Sequence, residues 1–424
     1  MKITELKAAL REGALEKYSS LYTDIPSETE RFIAALDSFA ASFGEDREVS
    51  IFSVPGRSEI IGNHTDHNAG KVMAGAITRD IIAVAAKTGS GMIRFRSEGY
   101  SEDFVKLSGV SNPSYYKHFT SRALVAGMTG GFMKRGFSVG GADIYMTTKV
   151  LKGSGLSSSA AFEVMIGNVL NHFYNGGKID NREIAKVAQY SENVYFGKPC
   201  GLMDQMACAV GSFVYIDFKD DNAPIVEPVS FSLADAGYAL CIVNTGGSHA
   251  NLNDDYAAVP REMKDVAAIL GREKLVGLTE GEVLAEAAKI RETLGDRALL
   301  RAIHFIRECE RVGAARDALL RGSIDGFLEA IRSSGDSSFK YLQNVYSPKA
   351  PKEQGISLAL ALSEGYLSGR GGAWRVHGGG FAGTVQAFVK LSDLEGYVAL
   401  MNGVLGEGAV DVLSIRPMGA VKLF

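Results

Sequence analysis

Ile144-Tyr145-Met146-Thr147-Thr148-Lys149-Val150-Leu151-Lys152-Gly153-Ser154-Gly155-Leu156-Ser157-Ser158-Ser159-Ala160-Ala161-Phe162 reads as three things in succession. Ile144, Met146 and Val150 alternate as on a strand. Gly153 to Ser159 are glycine, serine and one leucine. Phe162, Ile166, Val169 and Phe173 then recur at helical spacing. A strand that enters a helix through such a loop brings backbone N–H groups close to a ligand, and the positive end of the helix dipole faces the same spot. The stretch predicts an anion site, with phosphate the fitting occupant. It is not a Walker A loop, because no Gly-Lys-Ser/Thr follows, and taken alone it also suits an ordinary turn with a serine N-cap.

Upstream, residues 1–48 carry Leu6, Leu10 and Leu15, then Phe32, Ala35 and Phe39, at three-to-five-residue spacing, with a helix-start signal at Pro26-Ser27-Glu28-Thr29; they predict a helical extension. From Val49 the period becomes two, through Ile51 and Val54 to Ile60 and Ile61, with a break at Pro55-Gly56, and Ile81 to Ala86 is a further buried apolar run. Downstream, a helix from about Arg182 to Phe196 stops before Gly197-Lys198-Pro199. The polar, turn-rich stretch from Asp217 to Pro228 is the expected inter-domain crossing. Residues from about Pro260 to Glu364 read as helical. The chain then finishes as strand, glycine-rich turn, strand, helix and strand, an antiparallel sheet backed by helices.

Two further glycine clusters and two acids carry chemistry. In Pro55-Gly56-Arg57-Ser58-Glu59-Ile60-Ile61-Gly62-Asn63-His64-Thr65-Asp66-His67-Asn68, the polar side chains are too many for a plain strand pair and suit a polyhydroxylated ligand. Zinc is the rival occupant for His64, Asp66 and His67, but no further His or Cys lies nearby. Three consecutive glycines in His377-Gly378-Gly379-Gly380-Phe381 ask for close backbone approach, or else form a wide hairpin turn. Glu192 follows Ala185 and Ala188 on a small-residue face, and Asp204 opens a helix in an apolar stretch. Such acids need a partner, or serve as a desolvated base. His304, on an apolar helix, reads as a satisfied core residue.

Composition bounds the rest. The 424 residues, 46 % hydrophobic and 22 % charged, support two or three domains and exclude disorder. Lys plus Arg number 45 against 49 Asp plus Glu, a net charge of −4, so no global field would hold nucleic acid or an acidic membrane. Four scattered cysteines without a CxxC pair encode neither a disulfide framework nor a structural zinc site. The charged start and the lack of any apolar run of about 18 residues point to a cytoplasmic protein.

The order of these motifs resembles the GHMP sugar kinases, and within them the galactokinase family, from about Val54 to the C-terminus. GRSEIIGNHTDHNAG resembles the sugar-recognition signature and KGSGLSSSAAFEV the ATP-phosphate loop. ENVYFGKPCGLMDQ resembles the segment with the metal carboxylate and the catalytic aspartate, and VHGGGFAGTV the third glycine motif. The resemblance implies an α+β, two-domain GHMP kinase fold with the active site between the domains. After the extension 1–48, residues 49–220 form a mixed-sheet N-terminal domain, and 221–424 a C-terminal domain with an antiparallel sheet and helices. It implies transfer of phosphate from ATP to the C1 hydroxyl of galactose, with Asp204 as base and Arg57 as the adjoining cation. Sugar contacts fall on Arg57, Asn63, His64, Asp66, Gly201, Asp204 and Tyr256. ATP contacts fall on Gly153, Ser154, Gly155, Leu156, Ser157, Ser158, Ser159, Ala160 and Ala161, and Mg²⁺ on Ser159 and Glu192. A monomer without nucleic-acid or membrane partners is expected.

Galactokinases normally read GEHTDYN, so Asn63 stands where a glutamate is expected to meet the sugar C6 hydroxyl, which predicts weaker discrimination at C6. The segment after Tyr341 lacks the family's acidic pattern and reads Ser347-Pro348-Lys349-Ala350-Pro351, and the N-terminal extension is unmatched. A kinase for a related sugar (N-acetylgalactosamine, arabinose or a uronic acid) is the alternative. A sugar and ATP sensor that regulates transcription is a further one, against which the intact Asp204, Arg57, Ser159 and Glu192 argue.

Overall fold

The computed structural model describes residues 1–150, 155–220, 223–247 and 252–424; Gly153 and Ser154, expected at the ATP phosphates, lie outside them. Packing divides the chain into two compact units. The first comprises Met1–Arg57, Ala76–Ser212 and Arg416–Phe424; the second comprises Ser58–Gly75 and Phe213–Ile415. The strands are β1 Ser50–Ile61, β2 Lys71–Thr88, β3 Met92–Ser97, β4 Asp103–Lys106, β5 Gly141–Thr148, β6 Phe213–Asp217, β7 Ile225–Val229, β8 Tyr238–Asn244, β9 Ala373–His377, β10 Thr384–Lys390, β11 Val410–Leu413 and β12 Val421–Lys422.

In the first unit the strand order is β12-β1-β2-β5-β3-β4. β3 and β5 run parallel, whereas β12–β1, β2–β5 and β3–β4 are antiparallel, so the sheet is mixed. Alternation along β2 sends Ile82, Val84 and Ala86 to one face, where they pack with Ile51 and Tyr145 against the helices Ile3–Arg11 and Ile25–Phe43. Leu6 and Leu10 on the first helix and Phe32, Ala35 and Phe39 on the second are buried as their spacing predicts, and Leu15 is buried in the turn between the helices and not on a helix. Each large apolar side chain so buried contributes about 1.5–3 kcal/mol. The N-terminal helices are therefore part of this unit's core.

A buried polar cluster ties them to the chain that leads into the Gly/Ser loop. Asp80, fully buried on β2, accepts hydrogen bonds from Arg31 Nη1 (2.7 Å), Tyr22 Oη (2.8 Å), Ser53 Oγ (2.5 Å) and Arg416 Nη1 (3.2 Å). Burial alone would raise its pKa, but the two guanidinium groups hold it below the ordinary value, so it stays ionised. Its carbonyl accepts the amide of Lys149 (2.9 Å), just past the end of β5. The helix Ser158–Tyr174 that follows the loop is buried along Glu163 to Asn171, more completely than an amphipathic spacing implies, because helices Ser121–Lys134, Asn181–Tyr190 and Met203–Val210 all pack on it.

In the second unit β8, β9, β10 and β11 form an antiparallel sheet in the order β11-β8-β10-β9. Val385, Ala387 and Val389 share one buried face with Cys241 and Val243, packed with residues of helices Gly355–Leu367 and Leu394–Leu405. Phe388 faces the other way, its ring 5.2 Å from that of Phe327 on helix Ile324–Ser337. Helices Asn253–Ile269 and Asp296–Leu320 build a second apolar cluster around Met263, Val266, Ala302 and Phe305. The polar stretch after Asp217 lies between two paired strands: β6 pairs antiparallel with β7, Phe213 opposite Val229, and the boundary between compact units falls at 212/213. Pro228 is tolerated because, among the described residues, β7 pairs only with β6.

Candidate active site

In the first unit the Gly/Ser loop, β1 and the helix Met203–Val210 bring three sequence-predicted residues together. Arg57 presents a fork to Asp204, with Nε 2.7 Å from Oδ1 and Nη2 2.8 Å from Oδ2. Its Nη1 donates to the Gly155 carbonyl, and its backbone amide donates to Leu156 O at 3.1 Å. The approach needs the preceding glycine, since a Cβ on Gly56 would stand 2.8 Å from that same Leu156 carbonyl. Ser157, the N-cap of helix Ser158–Tyr174, has φ 58° and makes no capping bond; its hydroxyl donates to Asp204 Oδ2 instead. A non-glycine residue held in the left-handed region costs on the order of 1 kcal/mol or more, which marks the position as built for something other than stability.

Burial raises the pKa of Asp204, but the Arg57 charge and fork, together with the Ser157 hydroxyl, pull it below 3.8. The carboxylate is therefore ionised at neutral pH, and its side chain, 32 % exposed, remains within reach of a ligand. Around the same helix start, the first amides after Ser157 precede the first intrahelical hydrogen bonds and are available to an anion.

Glu192 lies where its spacing with Ala185 and Ala188 predicts, buried, on a π-helical turn (Ser191–Phe196) that continues helix Asn181–Tyr190 and ends at Gly197, φ 82°. A π turn shifts side chains out of α register and is frequent at functional sites. Ser159 Oγ lies 3.3 Å from Glu192 Oε1, and Lys198 Nζ is 3.3 Å from the same oxygen. Gln205 Nε2 donates to Glu192 Oε2 (2.7 Å) and to Glu163 Oε2 (3.3 Å). Burial, then the neighbouring Glu192, push the Glu163 carboxyl well above the ordinary range, and its Oε1 is buried without a hydrogen bond. The hydroxyl and carboxylate of Ser159 and Glu192 are hard oxygen donors that fit Mg²⁺, which takes one or two protein ligands and completes its shell with water and phosphate. No group of three or more His, Cys, Asp or Glu gathers among the described residues.

In the second unit the segment Ser58–Gly75 meets the third glycine motif. His64, at φ 59°, donates from Nε2 to the Gly379 carbonyl (2.8 Å), and its ring lies 5.2 Å from that of Tyr256. A Cβ on Gly379 would fall 2.1 Å from Tyr256 Cε2, so the glycine makes room for that ring. Asn63 is 1 % exposed and its amide is taken at both ends. Nδ2 donates to Glu59 Oε1 (3.0 Å) and Gly378 O (2.6 Å), while Oδ1 accepts from Asn344 Nδ2 (2.7 Å). Asp66 accepts the amide of His67 (3.0 Å) and is partly exposed. Below the loop, Glu308 Oε1 accepts the amides of Gly62 (3.1 Å) and Asn63 (3.4 Å), and His304 donates from Nε2 to Asn63 O (3.0 Å) while Ser337 donates to its Nδ1 (2.9 Å). His304 is thus a satisfied buried histidine, its pKa lowered by burial to about 4.

A galactokinase of Streptomyces coelicolor is 30 % identical over 363 residues, covering 84 % of this chain and 88 % of its own. The chain belongs to the galactokinase family. A galactokinase of Bacillus subtilis is 28 % identical over 359 residues, 83 % of this chain and 88 % of its own. Residues 37–87 match the galactokinase galactose-binding signature and residues 123–212 the GHMP kinases N terminal domain. Among solved structures, Lactococcus lactis galactokinase complexed with galactose has the same fold, with TM-score 0.75 at 24 % identity over 92 % of this chain and all of its own. A mevalonate kinase follows with TM-score 0.59 at 14 % identity, covering 87 % of this chain and 99 % of its own.

Several contacts here escape a reading of the sequence. Ser157, expected at phosphate, also touches Asp204; Gln205 and Glu163 gather behind Glu192; Asn344, Glu308 and the core histidine His304 hold the loop at Gly62-Asn63, and Arg375 holds the strand before it at Ile60. The adjacency Asp204-Gln205 was the one local signal, since neighbours in a helix point some 100° apart and an amide there faces a different partner.

Proposed function

We propose that this chain transfers the γ-phosphoryl group of ATP to the anomeric C1 hydroxyl of galactose, releasing galactose 1-phosphate and ADP. The observation that carries the reading is the Arg57–Asp204 fork held against the phosphate loop, within a member of the galactokinase family. As the C1 oxygen forms its bond to phosphorus and the bond to the ADP oxygen breaks, the hydroxyl proton passes to Asp204 Oδ. A carboxylate held below 3.8 is a weak base, and it suits a loose transition state in which the nucleophile loses its proton late. Arg57 keeps that carboxylate ionised and adds positive charge beside the transferring group.

The amides of Gly153 to Ala161 would hold the ATP phosphates. Ser159 and Glu192 would hold Mg²⁺, which supplies neutralisation of the phosphate charge. Lys198, largely exposed, shares the Glu192 oxygen and is free to swing aside. Sugar contacts are proposed for Arg57, Gly201 and Asp204, and in the second unit for His64, Asp66 and Tyr256 with Asn63 beside them. A monomer acting in the cytoplasm completes the reading; no helix among the described residues is long and apolar enough to cross a membrane.

The test is ADP release measured over a panel of galactose, N-acetylgalactosamine, arabinose and galacturonate, with the product's phosphate located by ³¹P NMR. Galactose-dependent turnover giving the 1-phosphate is expected. ADP release that no sugar stimulates, or phosphate on another hydroxyl, overturns the proposal.

A further inference from the structure

Resting on the sugar-kinase reading, we propose that Glu59 presents the carboxylate that recognises the sugar C6 hydroxyl, with Asn63 as the positioning residue that aims it. A glutamate was expected at 63, and the amide found there has nothing left to offer a ligand. Both Nδ2 hydrogens are committed to Glu59 and Gly378, its oxygen accepts from Asn344, and the residue is buried. The charge has not left the neighbourhood. Glu59 lies on the strand that leads into the same loop, and its Oε1 is 3.0 Å from Asn63 Nδ2, so its carboxylate sits at the tip of the side chain that was expected to be acidic.

The two Glu59 oxygens differ. Oε1 accepts from Asn63 and from Arg375 Nη2 (3.1 Å), an arginine that is completely buried and whose Nη1 is spent on the Ile60 carbonyl (2.8 Å). Oε2 bonds to none of the described residues, yet it is not among the sealed, unpartnered atoms, and the side chain keeps 11 % of its surface open. A carboxylate with one oxygen fixed by a cation and an amide, and the other presented, is a preorganised acceptor for a hydroxyl. Burial opposes its charge, but Arg375, His377 and His64 outweigh it.

The same amide and the His64 imidazole bond successive carbonyls, Gly378 and Gly379, of the turn that packs on Tyr256. Glu59, Asn63, His64 and Tyr256 are therefore tied to one turn. Such an end favours a sugar with a hydrogen-bond donor at C6 and repels a carboxylate there. The weaker discrimination expected from Asn63 alone is replaced by strong discrimination delivered from position 59.

The experiment compares kcat/KM for galactose, 6-deoxygalactose and galacturonate in wild type, Glu59→Gln and Glu59→Asp. Because glutamine leaves the buried Arg375 without its counter-charge, the aspartate variant, which keeps the charge but retracts it by one methylene, is measured beside it. Wild type should prefer galactose over both analogues by about a hundredfold or more, and both variants should lower the galactose to 6-deoxygalactose ratio by about tenfold, with the 6-deoxygalactose value itself within about threefold of wild type. Ratios unchanged in the aspartate variant, or an equal fall on all three sugars, would mean that Glu59 only holds Arg375 and would overturn the assignment while leaving the kinase reading intact. A wild type that phosphorylates none of the three overturns the kinase reading and this assignment with it.

Discussion

Asparagine at position 204 keeps the size of the side chain and one of its oxygens, and turns the other oxygen into an NH₂. In wild type both oxygens receive Arg57, at 2.7 and 2.8 Å, and Oδ2 also receives the Ser157 hydroxyl. After the change one arm of the fork survives and the other sets two donors face to face, next to a guanidinium that is only 12 % exposed. Leaving that donor unpaired costs about 1–3 kcal/mol of stability. Loss of the proton acceptor lowers kcat by about 10²–10⁴-fold, or about 3–5 kcal/mol in the transition state. The assay is ADP release at saturating ATP and galactose, with galactose binding followed separately by calorimetry. Asp204→Asn should lose at least about a hundredfold in kcat while its galactose Kd moves by less than about tenfold. Ser157→Ala, which removes one hydrogen bond and no base, should lose far less. In wild type the acid limb due to Asp204 should lie lower than that of an ordinary aspartate, because Arg57 and Ser157 outweigh burial and hold the folded carboxylate below its usual value. Turnover of Asp204→Asn within about fivefold of wild type would refute the base assignment and leave Arg57 and the phosphate loop to account for the reaction.

Glu192→Gln should raise the Mg²⁺ concentration for half-maximal rate by about tenfold, and should weaken the Mg²⁺ dependence of nucleotide binding measured by fluorescence; an unchanged titration would leave Glu192 a structural acid. Gly379→Ala drives a methyl group into Tyr256, 2.1 Å from Cε2, and should raise the KM for sugar about tenfold or more with little change in that for ATP. Acid should loosen the second unit in two stages, followed by hydrogen exchange of the Gly62 and Asn63 amides. His304 is held near 4 by burial, so the unfolded chain binds its proton first and stability falls as pH drops from about 6.5 to 4. Burial raises Glu308, but Arg311, His304 and other partners bring it to about 2, so its contribution is complete above 4.5 and is lost between there and about 2. Glu308→Gln should remove the lower stage and leave the upper one.

The architecture was legible wherever a segment repeats a period that one neighbour satisfies. The N-terminal helices announce their buried stripe through Leu6, Leu10, Phe32 and Phe39, because an amphipathic helix must turn that stripe to the sheet whatever else is present. Val385, Ala387 and Val389 do the same for β10. The motif residues Arg57, Asp204, Ser159 and Glu192 were also readable, and their pairing follows the order in which strand, loop and helix deliver them. What period does not carry is which polar group satisfies which. Asn63 has the same letter whether its amide faces a ligand or Glu59, Gly378 and Asn344, and those partners lie 4, 315 and 281 residues away in the chain. Ser157 bonds Asp204 across 47 residues, and Glu308 holds the Gly62 amide across 246. Desolvation decides these pairings, since a buried donor or acceptor must find its complement in three dimensions and is nearly indifferent to sequence distance once the chain has folded. Periodicity and the order of the motifs along the chain thus suffice for the fold and the family. That the amide of residue 63 is already occupied, and that the carboxylate open beside it belongs to Glu59, comes from packing in three dimensions alone.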